Sequence, residues 1–553
     1  MRRRFRPGLA AVVLFAALTV LMTWPQARHL STHVPDADDP LLSIWRISWI
    51  AHALPASPGD LLNGNIFYPE KRTLAYTDSV LLQGFVAAPA IWAGVLPIVT
   101  YNLLILISMA LSGAAMWRYA RHLTGSASAG VIAGIVFSFV PFRFDHFQHL
   151  ELQATMFMPL TLWCLARAFD SGQRRNVWGA TACLVAQVYC GIYYAVFLVT
   201  ALLIVVPLQL SALPAQRRKA LVRASIPALA VGALVIAPYL AAYVMNRGTL
   251  GERSDRDVLL YSATAQDYLA KLKENLVHGW WSAPLGQSER RLFPGAIAIA
   301  LAGVGLWQID RRRFALVCVG LVGLILSLGL NTPLYEPIRT VVFIYRGLRA
   351  PARASILVYF ALAALAAFGW ARLERRFKRD ASIGGGTPFL GVPVATAIVA
   401  SVMLLEYATP MKAWFVVPPT PQVYRWLADQ PRSVVLELPV STADRLDIVP
   451  DGLYMLHSTA HWQPILNGYS GFFPQSYLDL TEYAKGFPDE VSIDYFKKRG
   501  VDLIIVHGSL LAPDQFGAIM SSLLARPDVR AITRYEERLG PDVVFRLLKG
   551  ASQ

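Results

Sequence analysis

An apolar run from about Gly8 to Trp24 is followed by ten more, near residues 99–118, 126–141, 152–169, 177–190, 192–210, 223–244, 293–308, 314–330, 354–371 and 388–408. A bilayer core of about 30 Å needs roughly 20 apolar residues in a helix. A chain with eleven such segments has one economical solution, a multi-spanning helical membrane protein. Composition agrees: 55% of residues are hydrophobic and 16% charged, against about 45–50% and about 25% in soluble domains. A cytosolic enzyme, a DNA-binding protein and a secreted disulfide scaffold are thereby excluded.

The formal charge of +15 is unevenly placed. Residues 420–553 hold 13 Lys/Arg against 16 Asp/Glu, a net of −3, so the rest of the chain carries +18 in short loops between apolar runs. That is the positive-inside pattern rather than a nucleic-acid footprint. Met1-Arg-Arg-Arg-Phe-Arg6 precedes the first run with no A-x-A cleavage site after it, which reads as an uncleaved helix with a cytoplasmic N-terminus. Residues 79–97 are apolar but interrupted by two prolines. If they crossed, the basic clusters at Arg118/Arg121, Arg174/Arg175, Arg217–Lys219, Arg311–Arg313 and Arg372–Arg379 would all lie outside. Charge bias therefore places 79–97 in the interface or in a re-entrant segment, leaving about eleven transmembrane helices and an external C-terminus. Parity then requires a tight turn at Cys190-Gly191-Ile192.

This topology makes residues 1–410 a transmembrane domain with external loops 25–98, 142–151, 245–292 and 331–353. Residues 411–553 read as an extracytoplasmic α/β domain, with buried strands expected at VVLELPV (434–440), DLIIVHG (502–508) and DVVFRLL (542–548). The four cysteines, Cys164, Cys183, Cys190 and Cys318, fall in apolar runs without metal-ligand spacing and read as packing residues.

Polar residues able to do chemistry gather in the external loops. The first loop opens His33-Val-Pro-Asp36-Ala-Asp38-Asp39-Pro40. Carboxylates this close repel one another and need a proton or a cation to settle; they read equally as a general base or cation site and as a solvated turn capping a helix. Behind them LLSIWRISWIAHAL, with Trp45 and Trp49 four apart, reads as an interfacial amphipathic helix. In the second loop Asp145 and His149, and His146 and His149, have the spacing of one helix face, with Glu151 nearby; the group is suited to a metal, a phosphate or a sugar hydroxyl, or simply to capping two helices. Arg346, Arg349 and Arg353 break the positive-inside trend; guanidinium forks match phosphate oxygens two at a time, so they read as a phosphate site or as ordinary anchors to lipid headgroups. His278, Trp280 and Trp281 read chiefly as an interfacial aromatic belt.

An acidic motif after the first helix, an interfacial helix behind it, a second polar external turn and an external C-terminal domain together resemble the GT-C superfamily of polytopic glycosyltransferases. Within it the chain is similar to bacterial YfhO-like members, which the stretches Asn65-Ile-Phe-Tyr68-Pro69 and Thr77-Asp78-Ser79 also resemble. The resemblance implies a hexosyl- or pentosyltransferase of a bacterial inner membrane. Its donor would be a polyprenyl-phosphate sugar and its acceptor an envelope glycan, lipid or protein, with no nucleic-acid partner. Asp36, Asp38 or Asp39 would serve as the catalytic carboxylate, Asp145, His146, His149 and Glu151 as a second site, and Arg346, Arg349 and Arg353 as holders of the lipid phosphate. A divalent cation, Mg or Mn, is compatible with the resemblance, but no sharp second D/E-x-D motif assigns one. The competing classes are a lipid or glycan transporter (a flippase) and an envelope assembly factor. A transporter would need charges inside the spans, and the central spans are nearly free of them.

Overall fold

The computed structural model describes residues 7–285, 287, 289–383, 388–411, 414–441 and 449–548, so the N-terminal arginines at 2–6 lie outside the described residues. The chain starts with α1 (Pro7–Met22) and a short strand β1 (His33–Val34). α2 (Asp39–Ala56), α3 (Leu81–Trp92) and α4 (Pro97–Thr124) follow. Next come α5 (Ala127–Phe139), α6 (Phe157–Ser171), α7 (Arg174–Cys190), α8 (Ile192–Leu210) and α9 (Ala215–Leu250). After a long irregular loop the helices resume with α10 (Ala296–Gly305), α11 (Arg311–Leu328), α12 (Ser355–Ile383) and α13 (Pro388–Tyr407).

Every apolar run read from the sequence coincides with a helix. Six helical stretches are long and apolar enough to cross a bilayer by length and composition: 97–124, 127–145, 192–210, 215–248, 311–331 and 351–379. Segment 79–97 yields only the 12-residue α3, about 18 Å at 1.5 Å per residue and too short to span alone. The turn expected at Gly191 is present: α7 ends at Cys190, α8 begins at Ile192, and the Gly191 amide donates to the Gln187 carbonyl at 3.0 Å.

By contacts the chain divides into two compact units. The first comprises residues 1–30, 102–238 and 252–413; the second comprises 31–101, 239–251 and 414–553.

Unit 1 is a helical bundle whose joints follow from local chemistry. Gly125, at φ +76°, ends α4, and Ser126 caps α5 by accepting the Ala129 amide at 3.1 Å. Asp310 caps α11 through the Arg313 amide at 2.8 Å. The first turn of α10 is capped from a distance, the Ala296 amide donating to the Glu406 carboxylate at 2.6 Å. Where α10 crosses α12, a Cβ on Gly305 would stand 2.2 Å from the Leu365 carbonyl, and one on Gly369 would stand 1.9 Å from that of Leu301. Small residues let helix backbones approach this closely in a membrane. Gly369→Val is therefore expected to force the helices apart and cost at least the ~1–3 kcal/mol of ordinary overpacking. A thermal midpoint in detergent equal to wild type would contradict this crossing.

Unit 2 holds a four-stranded sheet of order β3-β4-β6-β5, built from β3 (Val435–Leu438), β4 (Leu503–His507), β5 (Val529–Glu537) and β6 (Gly540–Leu547). β3 and β4 are parallel, whereas β6 runs antiparallel to both β4 and β5. A second, two-residue pairing joins β1 to β2 (Phe415–Val416). Helix α2 is not the interfacial amphipath that its pattern suggests. Leu41 through Ala51 are all buried, the Trp45 indole donates to Asn65 at 3.0 Å, and Trp49 donates to the Leu61 carbonyl at 2.9 Å. Tryptophans whose N–H groups are satisfied inside protein have no need of an interface.

The sheet carries a buried charged triplet. The His507 imidazole lies 2.8 Å from Asp542 and 3.0 Å from Glu437, and the Tyr424 hydroxyl donates to Glu437. Burial alone would lower the ring's pKa; the hydrogen bonds to Asp542 and Glu437 outweigh it and push it up to about 9. A folded-state value above the unfolded one contributes stability fully below about pH 6.5, which is lost as pH rises through about 9. The loss is about 3 kcal/mol at roughly 1.4 kcal/mol per unit. Thermal unfolding at pH 6, 7.5 and 10 checks this, with a fall expected in wild type and absent in His507→Gln.

Candidate functional site

The most developed polar cluster of unit 1 is built on the connection between α5 and α6. Pro141 follows the end of α5, and Phe142–Asp145 forms one helical turn. Arg143 braces the connection, donating to the Thr155 hydroxyl at 2.7 Å and the Gln153 carbonyl at 2.9 Å. Gln153 returns bonds to the carbonyls of Arg143 and His146 at 3.0 and 2.8 Å. With its backbone so tied, the turn presents Asp145, His146 and His149 from a fixed frame.

Glu289, from the long loop before α10, is the centre of the cluster. Arg353 grips it with two bonds, Nε to Oε2 at 3.0 Å and Nη2 to Oε1 at 2.6 Å. His146 Nε2 lies 2.9 Å from Oε2, while its Nδ1 lies 3.0 Å from the Phe142 carbonyl. Both ring nitrogens thus face acceptors, which an imidazole satisfies fully only as a double donor. His149 stands between Glu289 and Glu151, at 3.8 Å from each. Asp145 pairs with Arg291 at 3.0 Å. Burial pushes the Glu289 carboxyl upward, but Arg353 first and His146 second overcome it and hold the group well below the usual carboxylate range.

Beside this pair sits a cationic, aromatic-lined patch. The Arg353 guanidinium lies 5.2 Å from the Tyr193 ring, and the Arg349 guanidinium lies 4.9 Å from the Tyr261 ring. The Tyr193 hydroxyl accepts the Arg349 amide at 2.7 Å. Arg253, half-buried, is lowered to about 10 by burial and by the charge of Arg349. Among the described residues no carboxylate forms an ion pair with Arg349. Arg346 does different work: it reaches the carbonyls of Arg339 and Thr340 at 3.3 and 3.4 Å and Glu252 at 3.7 Å, which ties its own loop.

The three arginines grouped by sequence therefore separate. Arg353 is neutralised by Glu289, Arg346 is structural, and Arg349 stands beside Arg253. The expected second-site residues Asp145, His146, His149 and Glu151 do converge, around a carboxylate that sequence reasoning missed. Glu289, Arg291, Arg253 and Tyr193 are the additions. One signal was available: Glu289 is the acid of Ser288-Glu-Arg-Arg291, beside two arginines on a loop assigned to the outside.

The first-loop carboxylates belong to unit 2. Asp36 accepts the Ala37 amide at 2.6 Å, and the Asp38 carbonyl opens α2 by accepting the amides of Leu41 and Leu42. Asp39 accepts the Tyr469 hydroxyl at 3.1 Å. The Asn65 side chain and the Asp78 backbone carbonyl are committed to structure. Asn65 bonds Trp45, Ser458 and the Gln463 carbonyl, and the Asp78 carbonyl takes the buried Arg46 guanidinium. His278 lies 3.4 Å from Glu406, and Trp280 is 81% exposed, as an interfacial anchor would be. Among the described residues no group of three His, Cys, Asp or Glu side chains could hold a metal ion. Of the acids in unit 1's cluster, Glu289 is engaged by Arg353 and Asp145 by Arg291, which leaves these two poorly suited to a Mg or Mn centre.

By length and composition the helices define a multi-pass membrane protein. The chain belongs to the family described as Domain of unknown function (DUF6311), whose model matches residues 55–383. No curated protein matches it. Among solved structures it is similar to ArnT from Cupriavidus metallidurans bound to undecaprenyl phosphate. Identity is 12%, 97% of each chain is covered, and the TM-score is 0.49.

Proposed function

We propose that this protein is an integral membrane glycosyltransferase of the GT-C type. It moves a sugar from a polyprenyl-phosphate donor to an envelope acceptor on the external face of a bacterial inner membrane. The observation that carries the reading is Arg349: its half-buried guanidinium lies over the Tyr261 ring, its amide is held by Tyr193, no carboxylate among the described residues pairs with it, and the neighbouring Arg353 is already matched by Glu289. A guanidinium held in partial burial gains when an anion joins it. A lipid-linked phosphate at headgroup depth has the charge and the oxygen geometry to do so.

In the proposed reaction a carboxylate takes the proton of an acceptor hydroxyl, and that oxygen bonds to the anomeric carbon. The bond from that carbon to the phosphate oxygen breaks, its electron pair staying on the phosphate, where Arg253 and Arg349 stabilise the charge. The anomeric configuration inverts. Asp36, Asp38 and Asp39 are proposed for the base, Asp39 first because the Tyr469 hydroxyl orients it. The second site, Asp145, His146, His149 and Glu151 around Glu289, is proposed to keep Arg353 and the adjoining patch in place.

The test is transfer by purified protein in lipid, offered labelled polyprenyl-phosphate sugars with extracted envelope lipids as acceptors. Asp38→Asn/Asp39→Asn is expected to lower turnover ~10²–10⁴-fold, the usual range for losing a general base. Unchanged turnover in the double variant would remove these aspartates from the mechanism, and the same assay on Asp145→Asn then decides the next carboxylate.

A further inference from the structure

Helices α1, α5, α12 and α13 of unit 1 leave a cleft of about 760 Å³ between them, lined by none of the residues of the site described above. Its walls are apolar over most of their length, formed by Leu14, Leu18, Val131, Ile135, Val392 and Leu404. One end is polar: Ser128, Glu374 and Lys378 line it. The Glu374 carboxylate is 7% exposed and fully engaged, taking the Ser126 hydroxyl, the Ser128 hydroxyl at 2.7 Å and the Lys378 ammonium at 2.6 Å.

Cations outnumber that single acid. The Lys378 side chain is 55% exposed and uses one of its three donors on Glu374. Arg121 lies over the ring of Trp117, another wall residue, at 5.1 Å. Two positive groups, Lys378 on the wall and Arg121 over a wall ring, against one carboxylate engaged by two hydroxyls and an ammonium complement an amphiphile with a negative head. The volume lies in the ~300–1,000 Å³ range of small-molecule sites. A membrane-crossing helix of 10 Å diameter and about 27 Å length would need roughly 2,000 Å³, so the space does not fit one. An apolar gap facing a bilayer is not filled by water.

We propose that this cleft holds one anionic glycerophospholipid, an acyl chain lying along the walls and the phosphate at Lys378 and Arg121. The cations bind the head by charge, and the chain packs on the apolar residues that α1 and α13 present to the cleft.

The experiment is native mass spectrometry of the full-length protein after exposure to vesicles of phosphatidylglycerol or phosphatidylcholine. Wild type is expected to retain one phosphatidylglycerol, at least tenfold in preference to phosphatidylcholine. Lys378→Gln/Arg121→Gln should abolish that preference. Ala400→Phe, which fills the wall without touching the cations, should abolish retention of either lipid, with thermal melting confirming that both variants are folded. Equal retention of both lipids by wild type, or retention unchanged in Ala400→Phe, overturns the proposal. So does displacement of phosphatidylglycerol by equimolar polyprenyl phosphate, which would assign the cleft to the carrier lipid instead.

Discussion

Glu289→Ala is expected to destabilise the protein by ~3–5 kcal/mol, the cost of stranding one partner of a buried ion pair. Arg353 is 6% exposed and its guanidinium makes two bonds to that one carboxylate; His146 loses the partner of Nε2 in the same step. The Arg353 charge would then stand buried without its carboxylate. The contrast is as informative as the loss. Glu289→Leu combined with Arg353→Met removes both charges and should recover most of the stability, because apolar replacement of a buried pair is often neutral or better. It should not recover activity, since the adjoining patch loses the side chain stacked on Tyr193. Thermal melting of the three proteins in detergent reads the first effect. A single variant as stable as wild type would mean the pair is not held as described.

The second large effect concerns the patch itself. Arg253→Ala and Arg349→Ala are each expected to lower turnover ~10²–10³-fold, the range for deleting one preorganised group that meets developing charge. Stability should change little in Arg349→Ala, whose side chain pairs with no carboxylate among the described residues. Arg346→Ala is the control: its contacts lie in its own loop and at Glu252, and turnover should change less than about threefold, as for one surface ion pair. Equal losses in all three variants would mean general anchoring to headgroups rather than a phosphate site.

The parts legible in sequence were those written in periodicity and charge. Uninterrupted apolar runs became helices, and the Gly191 turn followed from parity. The strands at 434–440, 502–508 and 542–548 stood out because both of their faces are apolar; in the structure β4 is buried throughout. β5 was missed for the opposite reason. Its residues 529–537 alternate charge with apolar side chains and lie at the sheet edge, largely exposed. The burial of α2 was hidden because its tryptophan partners, Asn65 and Leu61, sit in a loop with no pattern of its own. The acids and histidines at 145–151 could be grouped because they are neighbours in sequence. Glu289 and Arg253 reach the same unit from positions more than 100 residues away, and no local spacing announces such a meeting.

The most direct measurement follows both halves of a donor at once. Purified protein in sealed vesicles is given a polyprenyl-phosphate sugar labelled separately in the sugar and in the lipid, with acceptor present. Free polyprenyl phosphate and glycosylated acceptor should appear in equal amounts, with inverted anomeric configuration and with Arg349→Ala suppressing both. Movement of intact donor from one leaflet to the other, with neither product formed, would contradict the account and make the protein a transporter of such lipids.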